Sequence, residues 1–295
     1  PIMMRSKSDC IDCAQRQVER VLGLVYGEGE PSGQQEREVY RRTQAEVQAF
    51  LDTRPLHLCP AELSCQVLKI AMKNTGSPDP FYRLKRESNA AAMAMLPRLQ
   101  ELVQKSSDPL LTAALIACAG NIIDLGIQKA VNVEDTLQRV LTQGFARSDF
   151  EEFRCEVDQI SSMLYITDNA GEIVFDRVFI ETLKKMYPDL QITASVSQTP
   201  ILNDALWEDA IEAGLGQFAE IIDNGSDHIG TILSTTRSEF QLAFSTADLI
   251  ISKGQANFET LEGRPDIIYF ILQAKCKVVA EFLGVNLYDA VFCRA

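Results

Sequence analysis

Asp168 and Asn169 stand in succession directly after a short apolar run that ends at Ile166. Their side-chain oxygens are hard ligands of the kind that Mg²⁺ and Mn²⁺ prefer. Gly171 follows them and lets the backbone turn tightly, so that the N-terminus of a helix can face an anion. The segment therefore indicates a metal or phosphate site, although a turn rich in Asp, Asn and Gly also occurs as an Asx turn and helix cap.

Two further segments carry polar side chains at the same kind of position. Asp204 follows the next predicted strand and opens a predicted helix, where a carboxylate can also serve as an N-cap. Lys253 and Gly254 follow the apolar run at residues 249–251 and would place a positive charge and open backbone beside a phosphate. The ordinary alternative for this third segment is a solvated loop lysine with a helix cap at Asn257.

The secondary structure that must position these residues is predicted to change near residue 155. Before it, apolar residues recur at three- and four-residue spacings, which predicts helices. After it, short apolar runs alternate with amphipathic segments, which predicts a mainly parallel sheet with helices packed on its faces. The predicted strands are residues 163–166, 191–196, 220–223, 249–251 and 277–280.

Ligands of open parallel sheets bind beyond the carboxyl ends of the strands. Two carboxylates, an amide and a lysine are therefore expected to gather on one edge of the predicted sheet. The predicted organisation is an α-helical N-terminal domain, residues 1–155, followed by an α/β domain, residues 156–295, that carries the site.

Composition limits the class of protein and its partners. The chain has 295 residues, of which 46% are hydrophobic and 23% charged, as in an ordinary soluble globular protein. Its formal net charge of -13 opposes binding to nucleic acid or to an anionic membrane surface. A phosphorylated substrate would meet the same repulsion, which a bound divalent cation and a lysine would overcome locally.

Location and assembly are less well defined by the sequence. The apolar runs are shorter than the roughly 20 residues that span a bilayer, and no secretory signal pattern opens the chain, so a cytoplasmic location is expected. Eight scattered cysteines are expected to stay reduced. No motif reports the oligomeric state.

Taken together, these segments resemble the motifs of the damage-control phosphatases, a metal-dependent family formerly catalogued as a domain of unknown function. The resemblance covers nearly the full chain. In the α/β half it lies in residues 168–172, 203–205 and 253–257 with Glu259. In the helical half it lies in Cys10 and Cys13, Lys85 and Asn89, and residues 120–124, and the cysteine pair marks the microbial branch.

The resemblance implies a helical N-terminal part packed on a three-layer α/β/α domain. It implies one divalent cation, Mn²⁺, Co²⁺, Ni²⁺ or Mg²⁺, held by Asp168, Asn169 and Asp204. It also implies hydrolysis of small phosphorylated metabolites, such as sugar phosphates or damaged cofactor precursors. Residues 197–199 (Ser-Gln-Thr) depart from the basic residue or glycines that many relatives have there, which concerns substrate preference more than metal binding.

The catalytic roles are predicted for Asp168, Asp204 and Lys253. Lys253 and backbone N–H groups around Gly254 would neutralise charge on the phosphoryl oxygens as the bond breaks. Whether Asp168 is a nucleophile as well as a ligand is left open by the sequence. The predicted substrate contacts are Glu172, Asn121, Asp124, Lys253, Gly254, Asn257, Lys85 and Asn89.

Some of these residues have ordinary alternative roles. Glu172 could cap its helix, and Asn121 and Asp124, three residues apart, could form an internal hydrogen-bonded pair. Cys10 and Cys13 could bind a soft metal, form a redox pair or be structural thiols. Cys59, Cys65 and His57 are the residues that could complete a metal site with the cysteine pair.

Two other functions remain open at the level of the sequence. One is a nucleotide- or cofactor-binding α/β module in which Asp168 or Asp223 holds a ribose hydroxyl, although the first βα turn lacks the G-x-G-x-x-G spacing. The other is a partner-binding protein that keeps the fold without catalysis.

Overall fold

Four of the five predicted strands, at residues 163–166, 191–196, 220–223 and 249–251, belong to a seven-stranded sheet in the part of the chain that the structure describes. The structure is a computed structural model and describes residues 4–27, 31–122 and 131–294. The strands are Arg147–Ser148 (β1), Ser162–Ile166 (β2), Gln191–Val196 (β3), Glu220–Asp223 (β4), Leu249–Lys253 (β5), Ile268–Gln273 (β6) and Ala290–Arg294 (β7). Their order is β1-β7-β6-β5-β2-β3-β4, and every neighbouring pair is parallel except β6 and β7.

Helices account for most of the remaining described residues. They are Ser8–Tyr26 (α1), Gln34–Asp52 (α2), Pro60–Thr75 (α3), Tyr82–Lys105 (α4), Pro109–Ile122 (α5), Val131–Gln143 (α6), Phe150–Val157 (α7), Glu172–Met186 (α8), Trp207–Glu212 (α9), Ser238–Thr246 (α10), Gln255–Leu261 (α11) and Lys277–Leu283 (α12).

Strand β2 illustrates how the sheet is buried on both faces. Met163 and Tyr165 point into one apolar core, and Leu164 and Ile166 point into another, because successive side chains alternate across a strand. Helices α4, α5 and α8 pack in the first core, whereas α10, α11 and α12 pack in the second. The predicted α/β class with a mainly parallel sheet between helical layers is therefore confirmed.

One predicted strand, residues 277–280, is wrong, since these residues begin α12. A short apolar run fits a strand or a buried helical turn equally well. Here Val278 and Val279 belong to a helix and their side chains are buried. The strands that complete the sheet are β6 and β7, and the two-residue β1 lies before residue 155, where no strand was expected.

Helices from before residue 155 pack directly on the α/β part. Helix α5 approaches α8 closely at Gly120, where an added Cβ would lie 2.7 Å from the Cβ of Phe175. Residues on both sides of position 155 thus share one apolar core, and the division into two domains stays a prediction.

Helices α1, α2 and α3 build a third apolar core, joined by Ile201 and Ile229 from loops that follow β3 and β4. These loops leave the carboxyl ends of their strands. The three helices therefore lie over the edge of the sheet where the predicted site residues are found. No helix in the described ranges has the length and apolar character needed to cross a bilayer.

Candidate active site

The turn after β2 is hydrogen-bonded to the segment that carries Asp204. The N–H of Ala205 donates to the carbonyl of Asp168 at 2.9 Å, and the N–H of Ala170 donates to the carbonyl of Asn203 at 2.9 Å. Asn169 and Asp204 stand directly opposite each other in an isolated antiparallel bridge. Such partners have Cβ atoms about 4.5–5.5 Å apart on the same side. The structure therefore brings Asp168, Asn169 and Asp204 together.

A cavity of about 600 Å³ opens above this turn. Its sheet side is lined by Asp168, Asn169, Asp204, Asn121 and Lys275, and its opposite side by residues of α1 and α3. Asp168 and Asn169 are half-buried, whereas the Asp204 side chain is buried. The predicted ligand residues thus line a concave site that is large enough for a small metabolite.

The two carboxylates of this site are held in an environment that disfavours their charge. Burial raises the pKa of Asp168 well above its usual range, and the carboxylates of Glu172 and Asp204 raise it further. Burial also raises the pKa of Asp204 to about 7. A weak hydrogen bond that the hydroxyl of Ser197 donates at 3.4 Å acts in the opposite direction and lowers this pKa. Buried carboxylates normally pair with a cation or coordinate a metal, and this pair is therefore suited to receive one.

Glu172 connects several of the predicted residues through its buried carboxylate. It accepts hydrogen bonds from the side-chain amides of Asn121, at 3.1 and 3.2 Å, and Asn169, at 3.0 Å, and from Lys253 Nζ at 2.7 Å. The same Asn121 amide donates to Asp168 Oδ2 at 2.9 Å. Glu172 is the first residue of α8, and its side chain fixes these groups.

Lys253 does not line the cavity, in contrast to the role expected for it. Its ammonium is fully buried and donates to Glu172 Oε1 at 2.7 Å, Asp176 Oδ1 at 2.7 Å and the carbonyl of Ala117 at 2.9 Å. Burial opposes its charge, but Asp176 and Glu172 outweigh this effect and raise the pKa of Lys253 above its usual value. An ammonium with three protein acceptors has no donor left for a phosphate, so its position supports a structural role.

Gly254 and Asn257 hold the ends of β2 and β5 in place. Gly254 has a φ of 86°, and its N–H donates to the carbonyl of Ile271 at 3.0 Å, so this N–H is not available to a phosphate. The buried amide of Asn257 donates to the carbonyls of Lys253 at 2.8 Å and Thr167 at 3.3 Å. Asn257 therefore fixes the turn that carries Asp168 and does not line the 600 Å³ cavity.

Lys85 and Asn89 support the site from α4 without lining the cavity. Lys85 is buried, forms an ion pair with Asp79 at 2.7 Å, and its charge favours ionisation of the nearby Asp204, opposing the raised pKa of that carboxyl. Asn89 Oδ1 accepts a hydrogen bond from the N–H of Gly171 at 2.7 Å, which fixes the turn before α8.

Asn121 reaches the cavity from the helical half, as the sequence suggested. Its Oδ1 accepts a hydrogen bond from the N–H of Gln273 at 3.1 Å, so its amide nitrogen is directed toward Asp168 and Glu172. Asp124 lies outside the described residues. Asp223, the other candidate for a ribose contact, accepts hydrogen bonds from the N–H of Gly225 and from Arg237, both at 2.9 Å.

The sequence reasoning missed Lys275. This exposed lysine lies two residues beyond the end of β6, lines the cavity, and favours ionisation of Asp168 more strongly than Lys253 does. The apolar run at residues 267–272 could have revealed the strand that positions it. Because the strand was assigned to residues 277–280 instead, Lys275 was not recognised as a residue that follows a strand.

The cysteine pair lies on the same cavity. Cys10, Cys13 and Cys276 line it, Cys59 and Cys65 are buried, and the described cysteines are free thiols. Within the described ranges, no group of three or more His, Cys, Asp and Glu side chains is arranged to hold a metal ion. The Asp168, Asn169 and Asp204 set relies on an amide as its third member, and the soft-metal and redox roles of the cysteine pair stay predictions.

Comparisons with known proteins agree with this geometry. Residues 6–291 match the damage-control phosphatase ARMT1-like domain family. A damage-control phosphatase of Archaeoglobus fulgidus is 37% identical over 247 residues, covering 81% of this chain and 83% of its own length. An uncharacterised protein of Methanocaldococcus jannaschii is 35% identical over 302 aligned positions, covering 99% of this chain and 96% of its own length.

A solved structure is similar along the whole chain. The crystal structure of a DUF89 family protein from Pyrococcus horikoshii has a TM-score of 0.89 at 29% identity and covers 99% of both chains. The sequence of this same Pyrococcus horikoshii protein, a damage-control phosphatase, is 31% identical over 287 residues, covering 96% of this chain and 95% of its own length. These relatives support a phosphatase role, and the family resemblance noted in the sequence is confirmed: the chain belongs to the damage-control phosphatase ARMT1-like family.

Proposed function

We propose that this chain is a divalent-metal-dependent phosphatase that hydrolyses small phosphorylated metabolites, such as sugar phosphates or damaged cofactor precursors. The observation that carries the proposal is the backbone bridge between Asn169 and Asp204, which gathers oxygen-bearing side chains at the floor of the cavity. Family membership supports the reaction class, and the geometry supports the place at which it occurs.

The donor set fits a hard divalent cation. The carboxylates of Asp168 and Asp204 and the amide oxygen of Asn169 would hold Mn²⁺, Co²⁺, Ni²⁺ or Mg²⁺. The Asn169 nitrogen now donates to Asp168 Oδ2 at 3.0 Å, so a half-turn of the amide would bring its oxygen to the carboxylates instead. When bound, the cation would act as a Lewis acid and relieve the repulsion between the carboxylates of Asp168 and Asp204.

Lys275 is the residue best placed to meet the phosphoryl group of the substrate. It is an exposed cation on the cavity wall, and its charge acts on Asp168. A lysine in this position would neutralise charge on the phosphoryl oxygens as the ester bond breaks, which is the main protein contribution to phosphoryl transfer. The Asn121 amide, on the same wall, donates to Asp168 Oδ2 at 2.9 Å and would hold that carboxylate in place.

Lys253 and Glu172 are positioning residues in this proposal. Lys253 holds the Glu172 carboxylate at 2.7 Å, and Glu172 holds the amide of Asn121. Groups fixed before the substrate binds need no reorganisation during the reaction, which is the source of electrostatic catalysis.

A phosphate-release screen tests the function. The chain is treated with a chelator and then assayed on sugar phosphates and phosphorylated cofactor precursors with each of the four metals added separately. We expect release only when a divalent metal is present, and a large loss in an Asp204→Asn variant. Asp266→Asn, which changes a carboxylate paired with Arg264 before β6, is the matched control and should behave as wild type.

The alternative of a nucleotide-binding module is tested with the same preparations. A thermal shift that responds to adenosine nucleotides, ignores Mn²⁺ and accompanies no phosphate release from any substrate would contradict the proposed function. Equal release by Asp204→Asn and wild type would indicate a contaminating phosphatase.

A further inference from the structure

The cavity has a second wall, opposite to the edge of the sheet, that the proposed reaction does not use. It is formed by one face of α1, where Cys13, Arg16, Gln17 and Arg20 line the cavity. These positions recur at spacings of three and four, so they lie along a single stripe of the helix. A ligand whose phosphate lies at Asp168 and Lys275 would extend toward this stripe.

Arg16 brings a positive charge to that wall, and among the described residues it has no partner of opposite charge. It is exposed, and in the described part of the chain no carboxylate lies within ion-pair distance of it, including Asp12 one turn earlier on α1. Asp9, the acidic residue of α1 that lines the cavity, is two turns away, about 10 Å along the helix axis. A cation left unpaired in a concave site attracts anionic ligands, even in a protein with a net charge of -13.

Arg20 and Phe81 extend this part of the wall. The guanidinium of Arg20 lies over the ring of Phe81 at 5.5 Å from its centroid, and both residues line the cavity. The stacking restrains a planar cation one helical turn from Arg16. Guanidinium groups bind carboxylates and phosphates through paired, charge-assisted hydrogen bonds, so this wall has the chemistry for an oxyanion.

We propose that the substrate carries a second anionic group, a carboxylate or another phosphate, at the end remote from the phosphate that is cleaved, and that Arg16 binds it. This inference rests on the proposed phosphatase function and names the class of substrate. A cavity of about 600 Å³ has room for a whole small molecule, and residues of both walls line it, so one ligand can contact both walls. Arg16 is then a specificity-determining residue, because it separates substrates with a second anionic group from substrates whose single anionic group is the phosphate.

A matched pair of substrates tests the inference. 6-Phosphogluconate and glucose 6-phosphate carry the same phosphate, but only the first has a carboxylate at the opposite end. We expect wild type, with a divalent metal, to have the higher kcat/KM for 6-phosphogluconate. Arg16→Gln should reduce the ratio of the two kcat/KM values about 10-fold, as expected for one charge-assisted contact. Arg16→Lys should restore part of the ratio.

The control applies the same change to an exposed arginine on α6. Arg139→Gln leaves the cavity intact, and its ratio should equal that of wild type. A second pair, fructose 1,6-bisphosphate and fructose 6-phosphate, tests a second phosphate in place of the carboxylate. Titration calorimetry of 6-phosphogluconate and glucose 6-phosphate with the metal-stripped full chain gives a ratio of dissociation constants that does not depend on turnover.

The outcomes separate the two proposals. If phosphate is released but wild type does not prefer the substrates with a second anionic group, or Arg16→Gln leaves the ratios unchanged, the inference is overturned and the phosphatase function stands. If no phosphate is released from any substrate, yet Arg16→Gln lowers the preference in calorimetry, the function fails and the anion site at Arg16 stands. Equal binding of both ligands to the wild type and the variant overturns the inference in either case.

Discussion

The Cα atom of Gly254 lies against the carboxylate of Asp168. A Cβ placed on Gly254 would overlap with Oδ2 and Cγ of Asp168, and the φ of 86° at Gly254 is one that other residues rarely adopt. The backbone at the end of β5 therefore contacts the Asp168 side chain and holds it in the cavity. Hydrogen bonds alone do not fix this residue, since the absence of a side chain at position 254 is equally necessary.

Gly254→Ala is expected to inactivate the site. The new methyl group must displace the Asp168 carboxylate, and a displacement of about 1 Å can lower the rate about 10²-fold. Gly284→Ala is the matched control, because Gly284 also has a positive φ, 68°, but has no atom within 4 Å of the added Cβ. Both variants should lose stability from backbone strain, about 1–2 kcal/mol for the left-handed Gly284 and about 1–3 kcal/mol for Gly254, whose ψ is 163°. Phosphate release that is equal in the two variants would contradict the contact with Asp168.

Lys253→Met is expected to destabilise the fold strongly. It leaves the buried carboxylates of Glu172 and Asp176 without their cation, and breaking a buried ion pair from one side costs about 3–5 kcal/mol. Urea unfolding followed by circular dichroism measures the loss. Lys105→Met removes an exposed ion pair with Glu101 and should leave the unfolding midpoint close to that of wild type. A stable Lys253→Met chain would mean that the Lys253 network does not hold the site together.

Lys275→Gln is expected to lower kcat/KM while leaving the fold intact. The side chain is exposed on the cavity wall, so its removal leaves no buried group unpaired. Loss of a group that stabilises developing charge typically lowers the rate about 10²- to 10³-fold. Lys73→Gln, on the exposed face of α3, is the control for a changed surface charge. Unchanged kinetics in Lys275→Gln would remove this residue from the proposed mechanism.

Glu259 should make the stability of the protein depend on pH. Its side chain is buried, and burial raises its pKa to about 7. A hydrogen bond that Gln255 donates at 2.9 Å lowers the pKa but does not outweigh burial. Below about pH 4 the carboxyl is protonated in both the folded and the unfolded chain, so its contribution to stability is fully present. As the pH rises toward 7 the unfolded chain loses the proton first, and the free energy of unfolding falls by up to about 1.4 kcal/mol per pH unit.

Comparison of wild type with Glu259→Gln isolates this effect. The variant cannot ionise at this position, so its free energy of unfolding should fall less than that of wild type between pH 4.5 and pH 7. Urea titration of the two metal-free proteins at each pH measures the difference. Glu239→Gln, at an exposed position of α10, should follow wild type. Parallel curves for wild type and Glu259→Gln would show that Glu259 is ionised in the folded chain with an ordinary pKa.

The sequence was sufficient to predict which side chains lie together where they follow the ends of strands. Asp168, Asn169 and Asp204 were predicted because each follows a strand with a clear apolar pattern, and parallel strands place their carboxyl ends on one edge. The predicted strand at residues 277–280 was wrong because its short apolar run, residues 278–280, carries no periodicity that separates a strand from a helical turn. That error moved the strand away from residues 268–273 and concealed Lys275.

The role of Lys253 could not be derived from local pattern. Its acceptors are Glu172 and Asp176 on α8 and the carbonyl of Ala117 on α5, so its environment depends on how two distant helices pack against β5. A lysine at the end of a strand is compatible with a phosphate contact or with a buried ion pair. Only the tertiary structure distinguishes these two roles.

The most direct test of the central claim is titration calorimetry of Mn²⁺ into the chelator-treated chain. We expect wild type and Asp266→Asn to bind one Mn²⁺ per chain, and Asp204→Asn to bind it more than about 100-fold more weakly, because a ligand contributes at least as much as the groups that orient it. Mn²⁺ binding of equal affinity in wild type and Asp204→Asn, or no binding to any of the three proteins, would contradict a metal site formed by Asp168, Asn169 and Asp204.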